Sequence, residues 1–154
     1  MRKESDLIGL YSQKILALAS DIPHLKPISS SMITTKARSP ICGSYLTVGL
    51  KFDAGVVVDF AQDVKACALG QASAALFGRV IIGLSQADIT RGQAELLAML
   101  QADGPIPTAP FEGYEVLLAA REFSNRHASI MLPFTASLQA FNLVESDPSR
   151  SHAP

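Results

Sequence analysis

The sequence is poor in several features that would place it in a common functional class. It contains only two cysteines, Cys42 and Cys67, which cannot form a disulfide framework and which favour a reducing cytoplasm. Its 13 basic and 14 acidic residues give a net charge of -1, so it lacks the basic surface that nucleic-acid binding requires. Its longest apolar stretch, residues 68–84, contains Arg79 and is too short for a bilayer span. These absences predict a cytoplasmic protein that binds neither nucleic acid nor membrane.

The sequence does contain enough apolar material for one core. Hydrophobic residues make up 48% of its 154 residues and charged residues 18%, a balance typical of a folded domain. We expect residues 1–145 to form a single domain and residues 146–154 to be a disordered polar tail. Glu4 and Asp6 interrupt the apolar residues at the N-terminus, so no secretory signal is expected.

The first half of the chain predicts a helix followed by a small sheet. Apolar residues recur at helical spacing from Leu7 to Leu18. Residues 32–37 are a candidate strand, and two runs rich in β-branched and aromatic residues follow at 45–52 and 56–64. The tripeptide Asp53-Ala54-Gly55 between these two runs is typical of a hairpin turn, so the runs are predicted to pair in antiparallel fashion.

The second half of the chain predicts helices. Gly83 is a candidate terminator for the first of them, and Ser85 with Asp88 matches a capping box at the start of the second. The last helix must adjust around Pro133. The predicted helical segments are residues 68–82, 85–103, 111–123 and 126–143. This order predicts an α+β fold in which a small three-stranded antiparallel sheet carries helices packed on one face.

The two cysteines are candidate reactive or metal-binding residues. Cys67 falls where the third strand passes into a helix, and the positive end of the helix dipole stabilises a thiolate there. Cys42 falls in the loop between the first two strands. Free cysteines are also often small buried hydrophobic residues, and the separation of 25 positions matches no CxxC motif. Position alone leaves both interpretations open.

His127 is a candidate third metal ligand beside Cys42 and Cys67. It lies near the predicted start of the last helix, where a histidine can bind a metal ion but can equally be a capping or surface residue. Lys65, two positions before Cys67, either favours the thiolate electrostatically or is a solvated lysine at the end of a strand. Asp63 is nearby as a candidate outer partner.

Three segments around these residues resemble a known family. They are Ile41-Cys42-Gly43 before a hairpin, the run Ala66-Cys67-Ala68-Leu69-Gly70 at the start of a small-residue helix, and His127-Ala128-Ser129 at the start of the last helix. In this order they resemble the U-type iron-sulfur cluster assembly scaffolds, namely IscU, SufU and the N-terminal domain of NifU. The resemblance covers residues 8–142 and implies a SufE/NifU-like sandwich.

The resemblance also implies a function. It implies a scaffold or carrier without enzymatic turnover, which binds iron or a [2Fe-2S] cluster, or else zinc, through Cys42 and Cys67, with His127 as a further candidate metal ligand. It implies that the protein accepts sulfur from a cysteine desulfurase, passes its cargo to cluster-acceptor proteins and is able to form a homodimer.

The sequence departs from the family pattern at two ligand positions. Ser44 stands where the family has aspartate, and Ala128 stands where it has a third cysteine. One chain therefore offers at most three strong ligands, whereas a [2Fe-2S] cluster normally takes four. Two alternatives stay open: a degenerate family member that acts as a protein-interaction module without metal, and a thiol enzyme in which Cys67 is the nucleophile and His127 its base.

Overall fold

The computed structural model describes residues 12–146, which form three strands and six helical segments. The strands are β1 (Ile33–Arg38), β2 (Tyr45–Asp53) and β3 (Val56–Lys65). The α-helices are α1 (Gln13–Ala19), α2 (Ala68–Gly78), α3 (Gln86–Gln101) and α4 (His127–Ser146), and two 3-10 helices cover Glu112–Glu122 and Ser124–Arg126. Within residues 12–146, no helix has the length and apolar character needed to cross a membrane.

The three strands form one antiparallel sheet in the order β1-β2-β3, which confirms the predicted sheet. Tyr45 begins β2 and pairs with Arg38 of β1 and Lys65 of β3, so the ends of all three strands meet at one edge of the fold. The hairpin between β2 and β3 turns at Ala54 and Gly55, whose φ angles are 53° and 81°. Two residues with positive φ match the twist of a hairpin, which explains why the tripeptide predicted the turn.

The helices cover one face of the sheet, as the pattern predicts. Residue alternation along β2 places Leu46, Val48 and Leu50 on the covered face, and none of them is more than 1% exposed. Helix α4 packs across β1 and β2, while α2 packs between α1 and α4. The middle of this layer is an aromatic core, which we define as Phe77, Phe111, Tyr114 and Phe134, with ring centroids 5.0 to 6.3 Å apart.

A buried hydrogen-bond chain ties the helices together beside the aromatic core. The hydroxyl of Ser73 on α2 donates to the carbonyl of Ile130 on α4, and the hydroxyl of Tyr114 donates to the Ser73 carbonyl at 2.9 Å. Burial raises the pKa of Tyr114 well above its usual value, and the hydrogen bond with Ser73 offsets only part of that rise. These bonds fix the start of α4 against α2.

Two predicted helices differ from the structure in extent or type. The segment predicted at 68–82 ends at Gly78, because Gly83 and Leu84 instead form backbone hydrogen bonds with Val57 of β3. Gly83, with φ of 92°, is therefore part of this backbone pairing and not a helix terminator. The segment predicted at 111–123 is a 3-10 helix, and the capping box of Ser85 is present as predicted.

The last predicted helix is confirmed as α4, which continues through Pro133. Proline has no N–H, so Pro133 cannot donate to the carbonyl of Ser129 one turn earlier, and its ring pushes that carbonyl away. A Cβ atom at Gly70 of α2 would lie 3.4 Å from Ser129 Oγ and 3.5 Å from the Ser129 carbonyl oxygen, which are ordinary contact distances. The first turn of α4 thus packs closely against the first turn of α2.

Two expectations fall partly outside the described residues. Helix α1 confirms the second half of the predicted first helix, whereas residues 7–11 of that prediction lie outside the described range. Ser146 ends α4, and the rest of the predicted polar tail, residues 147–154, also lies outside it.

Candidate functional site

The loop between β1 and β2 presents Cys42. Two backbone hydrogen bonds close this loop, from Ser39 N to Ser44 O at 2.8 Å and from Gly43 N to Ser39 O at 3.0 Å. Gly43 has φ of 73°, a conformation that glycine adopts without strain, so the Cys42-Gly43 pair fits the bend. The adjacent Ile41 side chain is 68% exposed. The loop is therefore short and fixed, with Cys42 held near the surface.

Three serine hydroxyls surround the sulfur of Cys42. Its Sγ lies 3.2 Å from Ser44 Oγ, 3.2 Å from Ser129 Oγ and 3.3 Å from Ser39 Oγ. All three serines are at most 5% exposed, whereas Cys42 is partly exposed. The sulfur therefore has a polar environment on its buried side, and reagents in solution can reach it from its exposed side.

The second cysteine approaches the same hydroxyl from α2. Cys67 is the N-cap residue of α2, and its Sγ lies 3.7 Å from Ser129 Oγ. Its backbone N–H donates to Ser44 Oγ at 3.3 Å. Because both sulfurs contact one hydroxyl, they are no more than about 7 Å apart. We call Cys42, Cys67, Ser39, Ser44 and Ser129 the cysteine site.

The hydroxyl groups change the acidity of Cys42. Desolvation by partial burial is the largest single influence and raises the pKa of this thiol, but hydrogen bonds with the side chains of Ser129, Ser39 and Ser44 and with the backbone of Ser44 together outweigh it. The net result lowers the pKa of Cys42 from 9.0 to about 6. Cys42 is therefore mainly a thiolate at neutral pH, the form that acts as a nucleophile and a metal ligand.

The structure brings together the two cysteines predicted from the sequence, but it does not bring His127 to them. His127 is 4% exposed, and its Nε2 lies 2.9 Å from the carbonyl oxygen of Ala120. Among residues 12–146, no group of three or more His, Cys, Asp or Glu side chains has the arrangement to hold a metal ion. The expected set of Cys42, Cys67 and His127 is thus not assembled in this structure.

The sequence singled out Cys67, which the structure places at the start of α2 as predicted. The structure adds a feature of Cys42 that the sequence pattern did not indicate, namely the three hydroxyls that converge on its sulfur. Ser44, considered only as a lost aspartate, links Cys42 to the backbone of Cys67. Ser39 was not predicted, and Ser129 was noted only as part of the segment His127-Ala128-Ser129, because a serine beside a strand end or in a first helical turn carries no signal of its own.

Searches with the sequence alone found no match: no protein-family model and no curated protein matches this chain.

The structure resembles several solved structures. One is a nitrogen-fixing NifU-like protein (N-terminal) from Brucella abortus, with a TM-score of 0.88 and 32% identity over 92% of this chain and 99% of that one. Another is a putative iron-sulfur cluster assembly scaffold protein for the SUF system from Fervidobacterium islandicum AW-1, with a TM-score of 0.72 and 18% identity over 84% of this chain and 94% of that one. A hypothetical protein also matches, with a TM-score of 0.71 and 23% identity over 83% of this chain and 96% of that one. The last two likenesses support the fold alone.

Proposed function

Because this chain belongs to the U-type iron-sulfur cluster assembly scaffold family, we propose that it is a cytoplasmic carrier that holds sulfur or iron-sulfur cargo on Cys42 and Cys67. The family consists of scaffolds and not of enzymes, so the cargo is held and handed on. The observation that carries the proposal is the convergence of both sulfurs on the hydroxyl of Ser129. The partners would be a cysteine desulfurase as sulfur donor and cluster-acceptor proteins.

Cys42 is the residue that would accept sulfur. In a persulfide donor the terminal sulfur is bonded to the donor's cysteine sulfur, and the Cys42 thiolate would attack that terminal sulfur. The new S–S bond forms on Cys42 as the old one breaks, and the donor leaves as a thiolate, so electrons balance without an added oxidant. A pKa near 6 keeps Cys42 in the attacking form at neutral pH.

Iron or zinc would bind to the same pair of sulfurs as cargo. Thiolates are the ligands that iron-sulfur clusters and zinc prefer, which fits Cys42 and Cys67. Serine hydroxyls are weaker neutral donors, so Ser44 and Ser129 would hydrogen-bond the sulfurs rather than replace missing ligands. Two thiolates leave coordination positions open, and this favours transfer of the cargo over permanent storage.

Sulfur acceptance is tested by incubating the chain with a cysteine desulfurase and cysteine, then measuring intact mass. We expect the added mass of one sulfur atom on the wild-type chain and none on Cys42→Ser. The matched control is Ser137→Ala. Ser137 lies on the same helix as Ser129, and its buried hydroxyl has no hydrogen-bond partner among residues 12–146. Sulfur addition to Cys42→Ser that equals wild type would refute Cys42 as the acceptor.

Metal binding is tested by zinc competition titration and by anaerobic reconstitution with iron and sulfide. We expect weak binding by wild type, weaker binding by Cys42→Ser or Cys67→Ser, and stronger binding by the double variant Ser44→Asp, Ala128→Cys. The double variant adds a carboxylate and a thiolate, the two donors that the family pattern has at these positions. Unchanged binding after loss of both cysteines would contradict the carrier proposal and favour an interaction module without metal.

A further inference from the structure

The face of the sheet opposite the helices carries a cluster of cations at one end. Arg38 of β1 and Lys65 of β3 both pair with Tyr45 of β2, so the three side chains form a row across this face. Leu46 follows Tyr45 and faces the helices, which places the row on the other side. The Nζ atom of Lys36 lies 4.0 Å from the centroid of the Tyr45 ring, and the guanidinium of Arg38 lies 5.4 Å from it. We call Lys36, Arg38, Tyr45 and Lys65 the cation patch.

The positive charges of the cation patch have no acidic partners. Lys36, Arg38 and Lys65 are exposed, and none of them forms an ion pair with an acidic residue from 12 to 146. The acid that the strand register brings nearest on this face is Asp63, which pairs with Thr47 one row further along the sheet. One carboxylate beside three cations leaves the patch with a net positive charge.

The far end of the same sheet face shows the opposite situation. Lys51 of β2 pairs with Asp59 of β3, and the Nζ atom of Lys26 donates to Asp59 Oδ1 at 2.7 Å. Each cation there has an acidic neighbour. The sheet face is therefore polarised, with a positive charge concentrated at one end, although the net charge of the whole chain is only -1.

The positive end is the one that adjoins the loop of Cys42. Arg38 is the last residue of β1 and Tyr45 is the first residue of β2, so residues 39–44 join them directly. Ile41 lies in this loop and is 68% exposed. Because buried serines cover the other side of the Cys42 sulfur, a protein that brings sulfur to it must approach the exposed side of the loop. There it meets an apolar side chain next to three cations.

We propose that the cation patch is the docking site for an acidic surface of the protein that donates sulfur to Cys42. The inference rests on the proposed carrier function, and it assigns recognition of the donor to Lys36, Arg38 and Lys65. A planar guanidinium matches a carboxylate through two parallel hydrogen bonds, and unpaired cations accelerate the encounter with an acidic partner. A nucleic acid fits less well, because Asp63 repels phosphates and nucleic-acid affinity depends on many cations.

The first experiment measures docking without sulfur transfer. The Cys42→Ser chain is immobilised, and the association rate of a cysteine desulfurase is measured by biolayer interferometry at low salt and at about 1 M salt, where charges are screened beyond about 3 Å. We expect the rate to fall at least about tenfold at high salt. Adding Arg38→Gln and Lys65→Gln should lower the low-salt rate by about the same factor. The matched control adds Lys14→Gln and Lys51→Gln, which gives the same net charge and should leave the rate unaltered.

Three results of this experiment overturn the proposal. They are equal association rates for the two charge variants, a rate that does not depend on salt, and no association of the desulfurase at all. Patch-dependent binding of a single-stranded RNA in place of the desulfurase also overturns it, because the partner is then not an acidic protein.

The second experiment separates docking from the carrier function. Sulfur addition to Cys42 and alkylation of Cys42 by iodoacetamide, which needs no docking, are both timed in the Cys67→Ser background. We expect the Arg38→Gln, Lys65→Gln variant to accept sulfur about tenfold more slowly and to be alkylated at the unchanged rate. Equal slowing of both reactions means that the cations act on Cys42 itself and overturns the docking site. Patch-dependent association without sulfur addition to Cys42 leaves the docking site intact and refutes sulfur acceptance.

Discussion

The first turn of α4 and its middle lie close together along one helix but face different surroundings. Ser129, in the first turn, contacts the sulfurs of both cysteines and belongs to the cysteine site. Phe134, five residues later, lies 5.0 Å from both Phe77 and Phe111 in the aromatic core, measured between ring centroids. Both residues are fully buried, so burial alone does not distinguish the reactive region from the structural one.

The difference between these regions lies in what the buried groups contribute. Phe134 removes a large apolar area from water, so the aromatic core provides stability. Ser129 buries little apolar area, and its hydroxyl stabilises negative charge on Cys42. The polar groups of Ser73 and Tyr114 satisfy one another, whereas the hydroxyls at the cysteine site converge on a reactive atom. Stability and reactivity should therefore respond to different substitutions.

The largest expected effect is on stability in the aromatic core. Phe134→Ala should lower the free energy of unfolding by about 3–5 kcal/mol, because it leaves a cavity between three rings. Ser129→Ala should cost only about 1 kcal/mol, the net value of a typical hydrogen bond. Urea denaturation followed by circular dichroism measures both, with Leu118→Ala on the exposed face of the 3-10 helix as control. Equal losses of unfolding free energy for Phe134→Ala and Ser129→Ala would contradict the view that the aromatic core, and not the cysteine site, provides the stability.

A smaller loss of stability is expected from adding one carbon atom to the same core. A Cβ atom at Gly92 on α3 would overlap the ring of Phe111 and lie 3.1 Å from Phe134 Cε1. Gly92→Ala should therefore cost about 1–3 kcal/mol through overpacking. Gly113→Ala is the matched control, since its Cβ would meet only the end of Leu76 at 3.3 Å. Thermal unfolding of both variants measures the difference, and similar melting temperatures would argue against tight packing around Gly92.

At the cysteine site the expected effect is on reactivity. In a Cys67→Ser background, the rate of Cys42 alkylation by iodoacetamide should follow the thiolate and reach its midpoint near pH 6. Ser129→Ala removes one of the hydrogen bonds that lower the pKa of Cys42, so the midpoint should move to higher pH and the rate at pH 6.5 should fall several-fold. Ser137→Ala on the same helix should leave the midpoint unchanged. An equal shift of the pH midpoint in both variants would mean that the substitutions act by displacing α4 and not by removing the hydroxyl beside Cys42.

The smallest expected effect is a dependence of stability on pH that arises from the ionisation of Cys42. The pKa of Cys42 is about 6 in the folded chain and higher in the unfolded chain, so between these values the unfolded chain binds more protons. The contribution of Cys42 to stability is therefore fully present above the unfolded pKa and is lost as pH falls toward 6. The difference in unfolding free energy between wild type and Cys42→Ser should rise modestly from pH 6 to pH 9. A flat difference over this window would mean that the hydroxyls do not stabilise the thiolate.

The sheet and most helices were predictable because the signals that define them are local. Alternating side chains in β2, two positive-φ residues in the Ala54-Gly55 turn and the Ser85 capping box act within a few residues of sequence. The end of α2 was not predictable in this way. Residues 83 and 84 leave the helical pattern to pair with Val57, about 26 positions earlier, and no local signal announces such a contact.

The sequence by itself determined that the chain has two thiols, one in the loop between two strands and one at the start of a helix. Its resemblance to the U-type scaffolds implied that Ser44 and Ala128 stand at ligand positions. Only the tertiary structure decided what those thiols face. It brings Ser129 from the far end of the chain to both sulfurs and turns His127 inward to Ala120. The physical reason is the packing of the first turn of α4 on α2, an arrangement that depends on contacts between residues distant in sequence.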